Sequence, residues 1–252
     1  MSCIFSLNHK VALITGGGSG IGLGIARQFI HSGAKVVITG RTLEKLKKAK
    51  NELGENCFII QNDVTDKSSQ PALIELVEKK AGNLDILVNN AGLHHKVSSL
   101  EAGDEEFQEV IDINLNSVFS LTREALKKMV PRKSGSVINI SSMAALYGLP
   151  QVAAYSSSKT ALLGLTRSLA SEFSYSGVRI NAIAPGFIES EMLNKVMEKD
   201  PERKQKVLGR TPMRRLGIPD EIGHAAVFLA SDASRFITGV CLPVDGGNAI
   251  GF

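Results

Sequence analysis

The sequence predicts an α/β fold in which seven parallel strands form one doubly wound sheet, and three observations carry that prediction. Short, β-branched apolar runs recur from one end of the chain to the other. Amphipathic stretches of helical length separate them. Each run is almost continuously apolar rather than alternating, the pattern of a strand covered on both faces. With 252 residues and 43% hydrophobic content, the chain has material for one sizeable core, so residues 1–252 are predicted to form a single domain.

The elements follow in order. "VALIT" (11–15) is the first strand and "GIGLGIA" opens a helix over about 20–32. "KVVIT" (35–39) leads to a helix at 42–53, "CFII" (57–60) to one at 68–81, and "LDILVN" (84–89) to a long one at 104–130. "SVINI" (136–140) precedes a helix at 152–174. "RINAI" (179–183), a last helix at 219–230 and "VCLPV" (240–244) complete the pattern. The longest span without a strand, 187–218, holds "EKDP" and "GRTPMRRLG" and is predicted to be a mobile insertion covering the strand ends and the substrate.

The junctions between strands and helices carry the chemistry. Gly16, Gly20 and Gly22 give G-x-x-x-G-x-G between the first strand and first helix. Such a loop offers a tight turn, bare backbone for a pyrophosphate and a helix N-terminus facing the anion, which points to a dinucleotide. After the second strand, where an acidic residue would receive the 2'-hydroxyl of NAD, the chain has Gly40 and then Arg41. A guanidinium pairs with a 2'-phosphate, so NADP(H) is expected over NAD(H). Asp63, after the third strand, could accept from the adenine amino group or cap the next helix. In "LVNNAG" (87–92), side-chain amides can brace strand ends. Ser142 closes the fifth strand thirteen residues before Tyr155, at the end where ligands of such sheets bind.

"AAYSSSKTA" places Tyr155 four residues ahead of Lys159, on one helix face. An ammonium about 4 Å from a phenol is worth up to roughly 4 kcal/mol at an effective dielectric of 20, enough to lower a pKa of about 10 by two or three. Alone, the pair reads as an ordinary half-buried tyrosine and a lysine on a solvated face.

Composition excludes other classes. Twenty-nine Lys and Arg against 25 Asp and Glu leave a net charge of +4, too weak and scattered for nucleic acid. Cys3, Cys57 and Cys241 have neither disulfide nor zinc spacing, so no metal is expected and a reducing compartment fits. No signal-like or membrane-spanning run is present, and a cytoplasmic protein without a membrane partner is expected.

Together the motifs resemble the short-chain dehydrogenase/reductase family across essentially the whole chain. They are "TGGGSGIG" (15–22), "NNAG" (89–92), Asn114 in "DINLNSVF", Ser142, Tyr155 with Lys159, "NAIAPGFIES" (181–190) and "VDGG" (244–247). The resemblance implies a Rossmann-like domain and an oxidoreductase acting on a small carbonyl or alcohol. It implies that Tyr155 is the general acid or base, that Lys159 lowers its pKa and holds the nicotinamide ribose, and that Ser142 positions the substrate oxygen. Asn114 is implied to bend its helix and hold a relay water. For the cofactor it implies Gly16, Ser19, Gly20, Ile21 and Gly22 in the first loop, and Arg41, Asp63 and Val64 around the adenosine. Asn90, Ala91 and Gly92, then Tyr155 and Lys159, then Pro185, Gly186, Ile188 and Ser190 follow toward the nicotinamide. Ser190 stands where the family often has threonine.

Within the family the pattern looks like the 3-oxoacyl-carrier-protein reductases and the gluconate or sugar-acid dehydrogenases. "LHHKVSSL" (93–100), "MAALYGLPQ" (143–151) and the insertion are the expected substrate determinants, and "HHK" suits a hydroxylated or anionic substrate such as a keto-sugar acid. Arg132 and Lys133 could instead receive an acidic carrier protein, although Ser176 stands where such reductases often carry arginine. A non-catalytic dinucleotide-binding regulator is the reading from another class, and it would be expected to lack part of the catalytic set. A homotetramer built through the helices at 104–130 and 152–174 and the last strand is also implied.

Overall fold

The structure, a computed structural model, describes residues 3–190, 193 and 200–251. The seven apolar runs form β1 (Val11–Thr15), β2 (Lys35–Gly40), β3 (Cys57–Gln61), β4 (Leu84–Asn89), β5 (Gly135–Ile140), β6 (Val178–Pro185) and β7 (Cys241–Val244). All pair in parallel in the order β3-β2-β1-β4-β5-β6-β7. The order runs outward from β1 in one direction and from β4 in the other. The switch between them opens a crevice at the carboxyl ends of the strands.

Alternate residues of each strand face opposite layers, which is why the runs lack alternation. Ala12, Ile14, Val36, Ile38 and Val88 pack with Ile25 and Phe29 of α1 (Gly20–His31) and Ile222 of the final helix. Leu13, Val37, Leu87 and Val137 face the other way, onto Leu73 and Val77 of α3 (Gln70–Ala81) and Leu121 and Met129 of α5 (Ser117–Arg132). Each such side chain contributes about 1.5–3 kcal/mol by leaving water. α2 (Leu43–Leu53) flanks β2 and β3, and α6 (Ala153–Phe173) lies against β6.

The structure departs from the expected elements in two places. The helix expected over 104–130 is α4 (Asp104–Ile111) and α5 joined by a π-helical turn, Asp112–Asn116. Within the expected insertion, α7 (Pro201–Arg210) is helical, started by Asp200, whose carboxylate accepts from the N–H of Arg203 at 2.9 Å, and by Pro201. Val207 is its one buried residue, so apolar periodicity gave no signal. Residues 191–192 and 194–199 of that insertion lie outside the described residues. α8 (Pro219–Ala230) then returns the chain to β7. Among the described residues no helix is long and apolar enough to cross a membrane.

Candidate active site

The crevice begins where β1 meets its glycine loop. The Thr15 hydroxyl accepts from the N–H groups of Asn90 and Ala91, both at 3.0 Å. The Asn90 amide donates to the carbonyls of Thr15 (2.9 Å) and Gly16 (3.2 Å). Gly16 has φ +66°, and a Cβ there would stand 2.9 Å from the Asn90 amide nitrogen; one on Gly22 would stand 2.4 Å from the Gly16 carbonyl oxygen. Neither place takes a side chain. Beneath, Asn89 donates to Asn139 (2.8 Å) and Thr122 (3.0 Å), and Asn139 to Thr166 (3.0 Å), a buried network that locks the central strand ends to α5 and α6.

A cavity of about 380 Å³ gathers the expected Gly16, Ser19, Arg41, Asp63, Val64, Asn90, Ala91 and Gly92. Gly20 and Gly22 stand beside it in the first turn of α1. Ser19 is the N-cap residue of α1 yet makes no side-chain bond to the helix N–H groups, which leaves that N-terminus turned to the cavity. Arg41 is exposed, and its carbonyl is held by the Gln61 amide at 2.8 Å. Asp63 receives the N–H (2.9 Å) and hydroxyl (2.8 Å) of Thr65, and it is Asp66 that caps the following turn. Sequence reasoning missed Lys45, which joins Arg41 in this cavity. The signal was the spacing of four in "RTLEK", which the start of α2 turns back toward Arg41.

A second cavity, of about 200 Å³, shares Asn90 and Gly92 with the first and adds Ile21, His94, Ser142, Tyr155, Lys159, Pro185 and Gly186. Tyr155 and Lys159 stand on successive turns of α6. The Lys159 ammonium lies 5.7 Å from the Tyr155 ring centroid and donates to the Ile140 carbonyl at 2.8 Å. Burial lowers its pKa to about 8. The Ser141 hydroxyl fastens the same turn by donating to the Lys159 carbonyl at 2.9 Å.

The expected depression of the Tyr155 phenol by Lys159 is corrected here. Burial pushes the phenol up, and hydrogen bonding with Ser142, not the lysine, pulls it down. The ammonium donates to the Ile140 carbonyl rather than to the phenol, and desolvation is the larger of the two causes. Ser142 also accepts from the N–H of Ala144 at 3.1 Å, which fixes its rotamer.

Asn114 is fully buried in the π-helical turn. Its side chain accepts from the N–H of Leu93 (2.7 Å) and donates to the Leu93 carbonyl (2.9 Å) and the Ser158 hydroxyl (3.0 Å), which in turn donates to the Tyr155 carbonyl (2.8 Å). The turn thus ties the strand after β4 to the first turns of α6. A methyl on Gly92 would stand 3.1 Å from the Asn114 amide oxygen and 3.4 Å from the Lys159 ammonium, so both groups look onto one point.

The adjacent histidines point apart. His94 meets Tyr155 edge to face, with centroids 4.6 Å apart. Partial desolvation lowers its pKa, and Arg203, His95 and Lys96 act in the same direction. His95 turns to Glu109 at 3.5 Å and lines a separate cavity with Phe107 and Gln151. Ile188 and Ser190 line neither main cavity. Ile188 bridges to Gly217 and borders another hollow with Arg215 and Asp245, and Ser190 accepts from the N–H of Leu193 at 3.1 Å.

Comparison with known proteins agrees with this geometry. The family model described as Enoyl-(Acyl carrier protein) reductase matches residues 16–249. The chain is 42% identical to the 3-oxoacyl-[acyl-carrier-protein] reductase FabG of Rickettsia prowazekii, over 97% of this chain and 98% of that one. A putative gluconate dehydrogenase from Agrobacterium tumefaciens superposes with a TM-score of 0.95 at 34% identity, covering 99% of each chain. A gluconate 5-dehydrogenase from Burkholderia cenocepacia, solved with NADP and tartrate, gives 0.92 at 34% identity, covering 99% of this chain and 98% of that one. With a single Rossmann-like α/β domain and the glycine-lined crevice of an NAD(P)-binding oxidoreductase, the chain belongs to the short-chain dehydrogenase/reductase family.

Proposed function

We propose that the chain is an NADP(H)-dependent enzyme that moves a hydride between the nicotinamide and a ketone or secondary alcohol, with a keto-sugar acid as its substrate class. One observation carries the reading: the desolvated cleft of Ser142, Tyr155 and Lys159 shares Asn90 and Gly92 with a cavity that holds Arg41 and Lys45. The residues fit the dinucleotide. Gly16 and Gly22 leave a cradle that side chains would fill, and two cations stand where a 2'-phosphate would need them.

When bound, the dinucleotide supplies the hydride from C4 of its nicotinamide. Ser19, Gly20, Ile21 and Gly22 would receive the pyrophosphate, Arg41 and Lys45 the 2'-phosphate, and Asp63 and Val64 the adenine. Lys159 would hold the nicotinamide ribose, with Asn90, Ala91, Gly92, Pro185 and Gly186 around the ring. Ser142 orients the substrate oxygen and Tyr155 delivers the proton to it. The raised pKa keeps the Tyr155 phenol protonated at neutral pH, the form that donates during reduction. Asn114 and Lys159, meeting near Gly92, would return that proton from solvent.

The alternative substrate, a 3-oxoacyl chain on a carrier protein, is equally supported by the relatives named FabG. Of the two cations considered for docking an acidic carrier, Arg132 is engaged within the chain, donating to Glu78 at 2.8 Å. The structural relatives, a putative gluconate dehydrogenase and a gluconate 5-dehydrogenase, favour the sugar acid. Oxidation of NADPH with 5-ketogluconate and with an acetoacetyl thioester separates the two. Failure on both and on a wider panel of ketones would overturn the reading. A homotetramer in the cytoplasm completes it. Phe107 on α4 and Phe119 on α5 are about two-fifths exposed, and light scattering tests the assembly.

A further inference from the structure

α7, within the expected insertion, is held by a cluster of side chains that the chemistry above does not use. Arg210, its last residue, stacks its guanidinium 4.1 Å above the ring of Tyr147, in the loop between Ser142 and Tyr155. The Tyr147 hydroxyl donates to the Asn248 amide oxygen at 2.5 Å. Asn248 lies in the C-terminal segment after β7 and is fully buried. Its carbonyl accepts from Arg210 Nε (3.1 Å) and its amide nitrogen donates to the Thr211 hydroxyl (2.8 Å). One buried asparagine therefore joins the substrate loop, the end of α7 and the tail.

The tail reaches the cofactor wall as well. A Cβ on Gly186 would stand 2.6 Å from Asp245 Cα, and Asp245 accepts from the N–H groups of Gly247 (2.9 Å) and Ala249 (2.7 Å), which curls the tail toward α7. Toward its other end, α7 carries Arg203, one of the charges that act on His94 in the catalytic cleft. The helix thus carries at one end a charge that acts on His94 and at the other the latch at Arg210.

We propose that Tyr147, Arg210 and Asn248 form a latch by which the C-terminal segment seats α7 against the 143–151 loop, and that these are positioning residues for substrate rather than for cofactor. None of the three lines the catalytic or the adenosine cavity. Loosening the latch frees the wall that meets substrate and leaves Ser142, Tyr155 and Lys159 on β5 and α6 where they are. The kinetic half of the proposal rests on the oxidoreductase reading above, and the structural half does not.

Tyr147→Phe removes one oxygen and keeps the ring, and Arg210→Lys keeps the charge and loses the stacked plane. Hydrogen exchange of the apo full chain, read by mass spectrometry, is expected to speed up at least fivefold in peptides covering 201–210 in both variants, with β1 and α1 unchanged. With whichever of 5-ketogluconate or acetoacetyl thioester the parent enzyme reduces, KM is expected to rise five- to fiftyfold. kcat should stay within threefold and NADPH affinity within twofold. Unchanged exchange at 201–210 in both variants overturns the latch. Faster exchange with an unchanged KM, or a parallel fall in kcat and NADPH binding, overturns its role toward substrate. If the parent enzyme reduces neither compound, the proposed function fails while the exchange result still decides the latch.

Discussion

The two ends of the crevice are assembled differently. At the β5–α6 end, Lys159 is buried and bonded to the Ile140 carbonyl, Ser142 holds an N–H of its own turn, and Asn114 spends its amide on Leu93 and Ser158. At the β2–β3 end, Arg41 after β2 and Lys45 in the first turn of α2 are exposed side chains, and Asp63 is committed only to neighbouring Thr65. Proton transfer needs groups fixed before substrate arrives, because reorganisation during the reaction adds to the barrier. Recognition of a phosphate needs charge within reach, and flexible cations supply it. The comparison teaches that the buried end is fixed by its own hydrogen bonds, while the adenosine end rests on exposed side chains that change at little structural cost.

Four measurements break or sharpen that contrast. Tyr155→Phe is expected to lower kcat by about 10²- to 10⁴-fold with NADPH affinity held within about threefold. Loss of nucleotide binding in step with turnover would erase the division between the ends. Lys159→Met isolates the burial of the ammonium. The folded pKa near 8 lies below the ordinary 10.5, so between those values the unfolded chain holds one more proton. Wild-type stability relative to Lys159→Met should therefore rise with pH across that window, by up to about 3 kcal/mol, and be flat below it. Chemical denaturation at a series of pH values reads this directly.

The double variant Arg41→Ala/Lys45→Ala should reduce the preference for NADPH over NADH in kcat/KM by about 10- to 100-fold, the size expected for losing charge-assisted bonds to a phosphate. A wild-type enzyme that favours NADH would sink that expectation outright. The smallest effect is expected from Gln61→Ala, which releases the Arg41 carbonyl. The same ratio should move by no more than about threefold, since an exposed hydrogen bond contributes about 1 kcal/mol or less.

Much of this was legible because the strands and the candidate catalytic residues are written in short-range patterns. The apolar runs marked all seven strands, and the spacing of Tyr155 and Lys159 survived as successive turns of α6. What escaped depends on contacts remote in sequence. The direction of the Tyr155 shift required knowing that the ammonium is claimed by Ile140, 19 positions away. The Asn89–Asn139 pair spans 50 positions and carries no local signature. Periodicity did not mark α7, because a helix with a single buried side chain has no apolar stripe to show, although "DP" announced its start.

The wide turn at Asp112–Asn116 also bears on how the chain could be shortened. A π-helical turn holds one residue more than a regular turn needs, so deleting one would let α4 and α5 run on as a single straight rod with both flanks still facing their present neighbours. Such a trimmed protein should keep its core and lose the bulge that carries Asn114 to Leu93 and Ser158, converting an irregularity of one amino acid into the difference between a stable shell and a working catalyst.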